Sequence, residues 1–263
     1  MNTSTPIVSV LMTAYNREKY IAQAIESVLA SSYQHFELII VDDGSKDATV
    51  AIARTYEAKD HRVKVYQNEK NLGDYPNRNK AASYANGKYI KYLDSDDIMY
   101  EHCLQVMVGA MEKFPEAGFG LSCLYEAAHP YPRCISSHDA YMEHFYGFRH
   151  FDRAPGSSII KKASFDAVGG FSGQRMIGDN ELWLTLGRNF PLVKFPPDLY
   201  WSRMHEGQES QTDYAKQYDL LRKKVFNEAF AHPGCPLNEE EKKAILAKMK
   251  KDALKTKILK LVR

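Results

Sequence analysis

Residues 36–45 read FELIIVDDGS, a nearly continuous apolar run that passes directly into Asp42 and Asp43. Such a run is typical of a strand that is buried on both faces of a sheet. Residues 89–97 read YIKYLDSDD and repeat this arrangement, with three aspartates after the run. Because ligands bind beyond the carboxyl ends of the strands in an open parallel sheet, the two stretches predict an α/β fold with an acidic binding edge.

The segments on either side of these stretches alternate between strand-like and helix-like patterns. We predict strands at residues 7–12, 36–41, 63–66 and 89–93, separated by helices at 21–29, 47–58 and 76–86. This alternation is typical of a Rossmann-like, mainly parallel central sheet flanked by helices. The second half is less regular, and it predicts helices at 101–114 and 179–188, strands at 119–125, 157–160, 192–195 and 199–204, and helical structure from about 214 onward.

The composition is that of a globular protein, since 44% of the 263 residues are hydrophobic and 26% are charged. The length allows one or two domains. Four cysteines without a CxxC pair match neither a zinc ribbon nor a disulfide framework, so they indicate reduced thiols. No apolar run predicts a signal peptide or a membrane-spanning helix, and we therefore expect a cytoplasmic protein.

The net charge of +2 conceals an uneven distribution along the chain. Residues 242–263, called the basic tail below, contain nine Lys or Arg residues and one Asp, a net charge of +8 that leaves −6 on the rest of the chain. A mildly acidic body argues against a nucleic-acid-binding protein. The basic tail predicts either a packed helix with a solvated lysine face or a peripheral contact with anionic lipid at the inner face of the membrane.

The aspartates after the two strands indicate a metal site. Five carboxylates at one edge would repel one another without a cation, and hard oxygen ligands suit Mg²⁺ or Mn²⁺. A turn followed by a helix cap is the simpler interpretation of residues 42–45 alone, but a second acidic cluster after another strand favours the metal site. The sequence has neither a GxGxxG motif after its first strand nor a P-loop, so a nucleotide would be held in another way.

The order of the motifs along the chain resembles that of the family 2 glycosyltransferases. The matching segments are residues 8–16, 41–45, 71–79, 93–97, 169–171, 178–183 and 200–205. The resemblance implies an inverting enzyme of the GT-A fold that uses a nucleotide-diphosphate sugar. It covers about residues 6–211, so we predict a catalytic domain at 1–211, with a nucleotide-binding half at 1–97 and an acceptor half at 98–211, and a helical extension at 212–263.

The resemblance also implies roles for individual residues. In the nucleotide-sugar site, it assigns the base and ribose to Thr13, Ala14, Tyr15, Asn16 and Asp42, the base or the phosphates to Arg78, and the DXD element to Asp94, Ser95 and Asp96. The metal contacts would come from Asp96, Asp97 and His205. Asp179 matches the catalytic base, although the family commonly has Glu-Asp where this chain has Gly178-Asp179.

Each of these residues also has a structural interpretation. Asp179 could cap a helix, His205 could lie on the surface, and Arg78 could belong to a solvated face. Trp183 and Trp201 are predicted as acceptor contacts, with plain core packing as the alternative.

The resulting prediction is a hexosyl- or N-acetylhexosaminyltransferase that acts in cell-surface polysaccharide synthesis. Its partners would be a nucleotide-diphosphate sugar, with UDP the expected nucleotide, and a glycan or lipid-linked acceptor. A nucleotidyltransferase and a catalytically inactive sugar-nucleotide-binding protein are the alternatives.

Overall fold

The structure is a computed structural model that describes residues 6–123, 126, 128–206 and 217–261. Its strands are β1 (Val8–Ala14), β2 (Phe36–Asp42), β3 (Val63–Gln67), β4 (Tyr89–Asp94), β5 (Ile98–Met99), β6 (Phe119–Ser122), β7 (Arg133–Ile135), β8 (Ser158–Lys161), β9 (Leu192–Phe195) and β10 (Tyr200–Trp201). Its α-helices are α1 (Ile21–Leu29), α2 (Thr49–Glu57), α3 (Asp74–Ser83), α4 (Cys103–Lys113), α5 (Ser137–Glu143), α6 (Lys162–Ala167), α7 (Gly178–Asn189), α8 (Tyr218–Ala231) and α9 (Glu239–Leu261).

Eight strands form one central sheet in the order β3-β2-β1-β4-β8-β6-β9-β7. The pairs β3-β2, β2-β1, β1-β4 and β6-β9 are parallel, whereas β8 is antiparallel to both of its neighbours and β7 is antiparallel to β9. Helices flank this sheet, so the predicted α/β class with a mainly parallel sheet is confirmed.

The register of the first strands places their carboxyl ends together. Ala14 pairs with Asp42, and Thr13 pairs with Asp94. A separate two-stranded ribbon pairs Tyr200 of β10 with Met99 of β5. This ribbon brings the chain after β10 to the loop that follows β4, more than a hundred residues earlier in sequence.

Two apolar clusters cover the two faces of the sheet. One contains residues of α1 and α4, such as Ile25 and Leu104, and the other contains residues of α3, α7 and α8, such as Trp183 and Phe226. Both are needed because the central strands are apolar on both faces, as the sequence predicts for a buried parallel strand.

Several predicted boundaries need correction. The strand predicted at 199–204 is only two residues long, because the main chain of Arg203 donates to the Asp97 carboxylate rather than to a strand. The helix predicted at 76–86 begins at Asp74, where Gly73 adopts a φ of 88° that favours glycine. The strand predicted at 119–125 ends at Ser122, and residues 124 and 125 lie outside the described residues.

The region from 129 to 153 has no clear periodicity in sequence, yet it contains β7, α5 and a π-helical turn at His144–Phe148. The short helix α6 was likewise not predicted. Buried side chains of these elements, such as Tyr141, Phe145 and Phe165, join the apolar cluster of α7, but each element is too short to show an apolar periodicity in sequence.

The helical extension consists of two helices, α8 and α9, with a break between them. Val225, Phe226, Ala229 and Phe230 of α8 are buried in the same cluster as α7. The extension therefore shares an apolar core with the central sheet and α7. The domain boundary predicted at 211/212 falls among residues outside the described ones. Among the helices that the structure describes, none is both long and apolar enough to cross a membrane.

Candidate active site

Asp94, Asp96 and Asp97, called the acidic triad below, lie in the turn that follows β4. Each offers one carboxylate oxygen, and these oxygens all lie within 4.8 Å of one another. The turn is closed by the main chain, where the Asp97 N–H donates to the Asp94 carbonyl oxygen at 3.0 Å. Three converging carboxylates are a ligand set for a hard divalent cation such as Mg²⁺ or Mn²⁺.

His205 completes this arrangement from the chain after β10. Its Nε2 lies 3.0 Å from Oδ2 of Asp96, and its Nδ1 lies 2.7 Å from the Glu206 carbonyl oxygen. Imidazole nitrogens and carboxylate oxygens are both metal ligands in proteins, so these two side chains could hold one divalent ion together. The structure thus brings His205 to the residue that the sequence predicts as its partner.

Two arginines at the acidic triad were not predicted from the sequence. Arg17 donates from Nε to Oδ2 of Asp96 at 2.9 Å. Arg203 donates from Nε to the Asp96 carbonyl oxygen at 2.8 Å and from its main-chain N–H to the Asp97 carboxylate at 3.0 Å. Local sequence patterns do not indicate these contacts, because both arginines are far from the acidic triad in sequence. Arg17 directly follows the matching segment 8–16, and Arg203 lies within the segment 200–205.

Burial and repulsion act together on the acidic triad. Burial, together with the neighbouring carboxylates of Asp94 and Asp96, raises the pKa of Asp97 to about 7, against the opposing N–H of Arg203. A cation among these oxygens would favour the charged form of all three. The donor set therefore fits a divalent metal ion.

Arg78 connects the acidic triad to α3. Its Nε donates to Asp74 at 2.9 Å and its Nη2 donates to Asp94 at 2.7 Å. Burial opposes the charge of this guanidinium, but the two carboxylates outweigh it and raise the pKa of Arg78 above its ordinary value. Its Nη1 is buried without a hydrogen-bond partner, so one donor of this guanidinium is unsatisfied in the structure.

Asp179 lies in the first turn of α7, where the partial positive charge of the helix favours an anion. Its Oδ1 accepts from the Asn180 N–H at 2.8 Å. Burial nevertheless raises the pKa of Asp179 to about 7, with the Asn180 N–H and the charge of Arg78 opposing the rise. A carboxylate with a pKa near the working pH is suited to accept a proton.

Packing against α3 explains why the residue before Asp179 is glycine. A Cβ atom at Gly178 would lie 2.9 Å from two ring atoms of Tyr75, which is buried under the start of α7. The departure from the family's Glu-Asp pattern therefore makes room for a ring of α3.

Asp42 and Asp43 do not join the acidic triad, which corrects the expectation of five carboxylates in one crevice. Asp42 is 1% exposed, accepts from the N–H groups of Gly44 at 3.0 Å and Ser45 at 2.9 Å, and also accepts from the Ser45 hydroxyl. Asp43 accepts from the N–H groups of Leu72 and Gly73, each at 2.9 Å. Both carboxylates stabilise turns of the main chain. Asp42 is therefore not available to a nucleotide base in this structure.

The loop after β1 is open on one side. Tyr15 is 45% exposed, whereas Thr13 is half-buried and Ala14 is buried. Asn16 accepts from the Lys46 N–H through its side chain and donates from its own N–H to Ser45, so the loops after β1 and β2 are tied together. Within the DXD element, Ser95 is buried.

The two tryptophans differ. Trp183 is fully buried, packs parallel to Phe119 and donates from Nε1 to the Arg153 carbonyl oxygen. The prediction that it contacts an acceptor is wrong, because no part of its ring reaches the surface. Trp201 is 45% exposed, with the Arg203 guanidinium 4.8 Å from its ring centre, and it remains a predicted acceptor contact.

Comparison with known proteins agrees with this geometry. The sequence profile of the family described as Glycosyl transferase family 2 matches residues 9–183, more than half of the chain. A candidate teichuronic acid biosynthesis glycosyltransferase of Bacillus subtilis, TuaG, is 45% identical over 97 residues, which cover 37% of this chain and 38% of TuaG. The UDP-Glc:alpha-D-GlcNAc-diphosphoundecaprenol beta-1,3-glucosyltransferase WfgD of Escherichia coli is 39% identical over 107 residues, covering 41% of this chain and 42% of WfgD. The chain thus spans about two fifths of the length of these curated relatives.

Solved structures share the fold. S. aureus TarS 1-349 in complex with UDP-GlcNAc superimposes with a TM-score of 0.72 at 22% identity, covering 92% of this chain and 70% of that one. The mannosyltransferase PcManGT of Pyrobaculum calidifontis, in complex with GDP-Man and Mn²⁺, gives a TM-score of 0.64 at 16% identity and covers 98% of this chain and 81% of its own. At these identities the likeness establishes a shared GT-A architecture.

Proposed function

The chain belongs to glycosyl transferase family 2, and from this we propose that it transfers a sugar, with inversion, from a nucleotide-diphosphate sugar to a hydroxyl group of a glycan or lipid-linked acceptor. One observation carries the proposal: Arg78 connects the acidic triad to Asp179. Its guanidinium donates to Asp94, and its charge favours the carboxylate form of Asp179 against the effect of burial. A leaving-group site and a base are the two parts that inverting transfer needs.

For the donor, we propose a UDP sugar. The TarS complex contains UDP-GlcNAc, and WfgD is named for UDP-Glc. The PcManGT complex contains GDP-Man instead. In this chain the exposed ring of Tyr15, beside Asn16 at the end of β1, offers a face on which a base can stack. Arg78 has an unused Nη1 donor for the base or the phosphates.

We propose that Asp96, Asp97 and His205, together with Asp94, hold Mn²⁺ or Mg²⁺. When bound, such an ion stabilises the negative charge that develops on a diphosphate leaving group. Arg17 and Arg203 hold the Asp96 and Asp97 segments in place, so the ligand oxygens are oriented before any ion arrives.

Asp179 is the proposed general base, which takes the proton of the acceptor hydroxyl as the sugar is transferred. A positioned base contributes roughly 10²–10⁴-fold to such a reaction. The Asn180 N–H and the start of α7 hold the carboxylate in one orientation.

For the cellular role, we propose polysaccharide biosynthesis, which the name of TuaG supports by analogy, with a peripheral membrane contact through the basic tail. Trp201 is the proposed acceptor contact, since an exposed ring beside Arg203 offers an apolar face to a sugar.

Product analysis tests the proposal against its alternatives. The protein is incubated with Mn²⁺, a panel of nucleotide sugars and undecaprenyl-diphosphate-linked saccharides, and the products are separated. We expect a nucleoside diphosphate together with an extended acceptor. A parallel incubation with added pyrophosphate that converts a nucleotide sugar into a nucleoside triphosphate and a sugar 1-phosphate would identify a nucleotidyltransferase. Nucleotide-sugar binding without turnover over the whole panel would identify an inactive binding protein.

A further inference from the structure

Arg153 differs from the other arginines around the candidate active site. Arg17, Arg78 and Arg203 each donate to a carboxylate or a carbonyl oxygen of the acidic edge. The Nε of Arg153 is buried without a hydrogen-bond partner, and its guanidinium makes no ion pair with any residue that the structure describes. Since buried polar atoms in proteins are normally hydrogen-bonded, this Nε lacks a partner among the described residues.

The main chain of Arg153 is fixed beside the proposed base. Trp183 Nε1 donates to the Arg153 carbonyl oxygen at 2.7 Å. The preceding residue, Asp152, accepts at 3.0 Å from the side chain of Asn180, which is adjacent to Asp179. Arg153 therefore leaves the main chain next to the first turns of α7.

The charge of Arg153 acts on two tyrosines near the candidate active site. Burial raises the pKa of Tyr200, and the charge of Arg153 opposes that rise while the charges of Asp97 and Asp94 add to it. Burial likewise raises the pKa of Tyr131 to about 12, again with Arg153 in opposition. Arg153 thus acts on side chains that border the acidic triad on one side and the segment before β7 on the other.

The carboxylates around Arg153 are already paired with other cations. Asp152 accepts from Arg149 at 2.6 Å and from Arg222 at 3.0 Å. The carboxylate of Glu126 is paired with Arg133 and Lys194. With these described carboxylates already paired, a ligand is the source we infer for an anion that neutralises Arg153.

Resting on the proposed function, we propose that Arg153 binds an anionic group, a carboxylate or a phosphate, on the acceptor substrate. A guanidinium matches both groups with two parallel N–H donors. The acceptor is favoured over the donor diphosphate because Arg153 is carried by the segment that packs on the helix of the base, and the base must face the acceptor hydroxyl. The diphosphate has cationic partners of its own at the acidic edge, including Arg78.

Binding of small charged sugars tests this assignment without knowledge of the natural acceptor. The probes are methyl β-glucuronide and glucose 1-phosphate, with methyl β-glucoside as the neutral reference, each titrated with and without saturating UDP and Mn²⁺. We expect Arg153→Gln to weaken binding of the two charged probes at least tenfold, Arg153→Lys to weaken it less, and neither to change the weak binding of methyl β-glucoside. Arg54→Gln, which removes a surface arginine paired with Glu57 on α2, is the matched control.

Two results of these titrations would contradict the assignment of Arg153 to the acceptor. Equal affinity of wild type and Arg153→Gln for the charged probes would overturn the proposal. A tenfold loss of UDP affinity in Arg153→Gln with unchanged probe binding would also overturn it and would assign the residue to the donor diphosphate. Because the Arg153 side chain has no partner to lose within the part of the chain that the structure describes, the melting temperature of Arg153→Gln should be no lower than that of wild type. Failure of the wild type to bind UDP would instead count against the proposed function, and the titrations without UDP would still report on Arg153.

Discussion

The pKa of Asp179, the proposed base, is set by two opposing influences. Burial at the start of α7 favours its neutral form, while the Asn180 N–H and the charge of Arg78 favour the carboxylate. The balance leaves the pKa near 7, where a group is both present as a base and strong enough to accept a proton.

The pKa of Asp179 predicts the pH dependence of the reaction. Because the folded pKa is raised to about 7, the carboxyl group holds its proton below that pH and the base form is lost as the pH falls. We expect kcat/KM to drop about tenfold per pH unit below 7. Rates measured from pH 5 to 8 at saturating Mn²⁺ check this, and a rate that stays level down to pH 5 would contradict it.

At the acidic triad, Asp96 is the residue that Arg17 and His205 both contact. Asp96→Ala removes a proposed ligand and releases both neighbours, so we expect the affinity for Mn²⁺–UDP to fall at least about tenfold. Calorimetric titration measures this, with Asp60→Ala, a surface aspartate paired with Arg62, as the control. Equal calorimetric affinities for Asp96→Ala and wild type would argue against the metal assignment.

At the level of elements, α3 and α7 are fitted to each other at Gly178, where the ring of Tyr75 takes the space of a side chain. The start of α7 is also held by α8, because the Tyr218 hydroxyl donates to the Asn180 side chain at 3.1 Å. Helices on both sides thus orient the turn that carries Asp179.

The contact between α3 and α7 predicts the effect of adding one methyl group. Gly178→Ala places a Cβ 2.9 Å from the Tyr75 ring, so we expect a loss of about 1–3 kcal/mol in the free energy of unfolding. Gly109→Ala on α4 meets nothing within 4 Å and should instead stabilise by about 0.5–1 kcal/mol. Urea denaturation of the two variants measures both, and equal effects would show that the Tyr75 contact does not constrain α7.

For the whole molecule, the sequence predicts the sheet better than the contacts across it. The strands β2 and β4 follow from apolar runs that stay buried on both faces, and β9 was predicted at the bounds observed. The contacts of Arg203 with the acidic triad join residues more than a hundred positions apart, and no local pattern encodes them. Asp42 and Trp183 were assigned to ligands because a motif shows residue type and order but not which face of a turn or helix is exposed.

The basic tail is a prediction for the molecule as a whole. In α9, Lys250 and Lys251 are exposed, and each basic residue near an anionic surface contributes about 1 kcal/mol. We expect Lys250→Glu with Lys251→Glu to reduce flotation with phosphatidylserine vesicles at least tenfold. Lys223→Glu with Lys224→Glu, an exposed pair on α8, is the matched control, and identical flotation of both variants with wild type would exclude a membrane contact through the basic tail.

The central claim is that Asp179 is the base of a sugar transfer whose donor is held at the acidic triad. The most direct measurement compares wild type with Asp179→Asn in two assays, turnover with a competent donor and acceptor, and affinity for the Mn²⁺–UDP complex. We predict a loss of turnover of at least about 100-fold with an unchanged affinity for Mn²⁺–UDP. A variant that keeps more than about one tenth of wild-type turnover, well above what loss of a general base allows, would contradict the account.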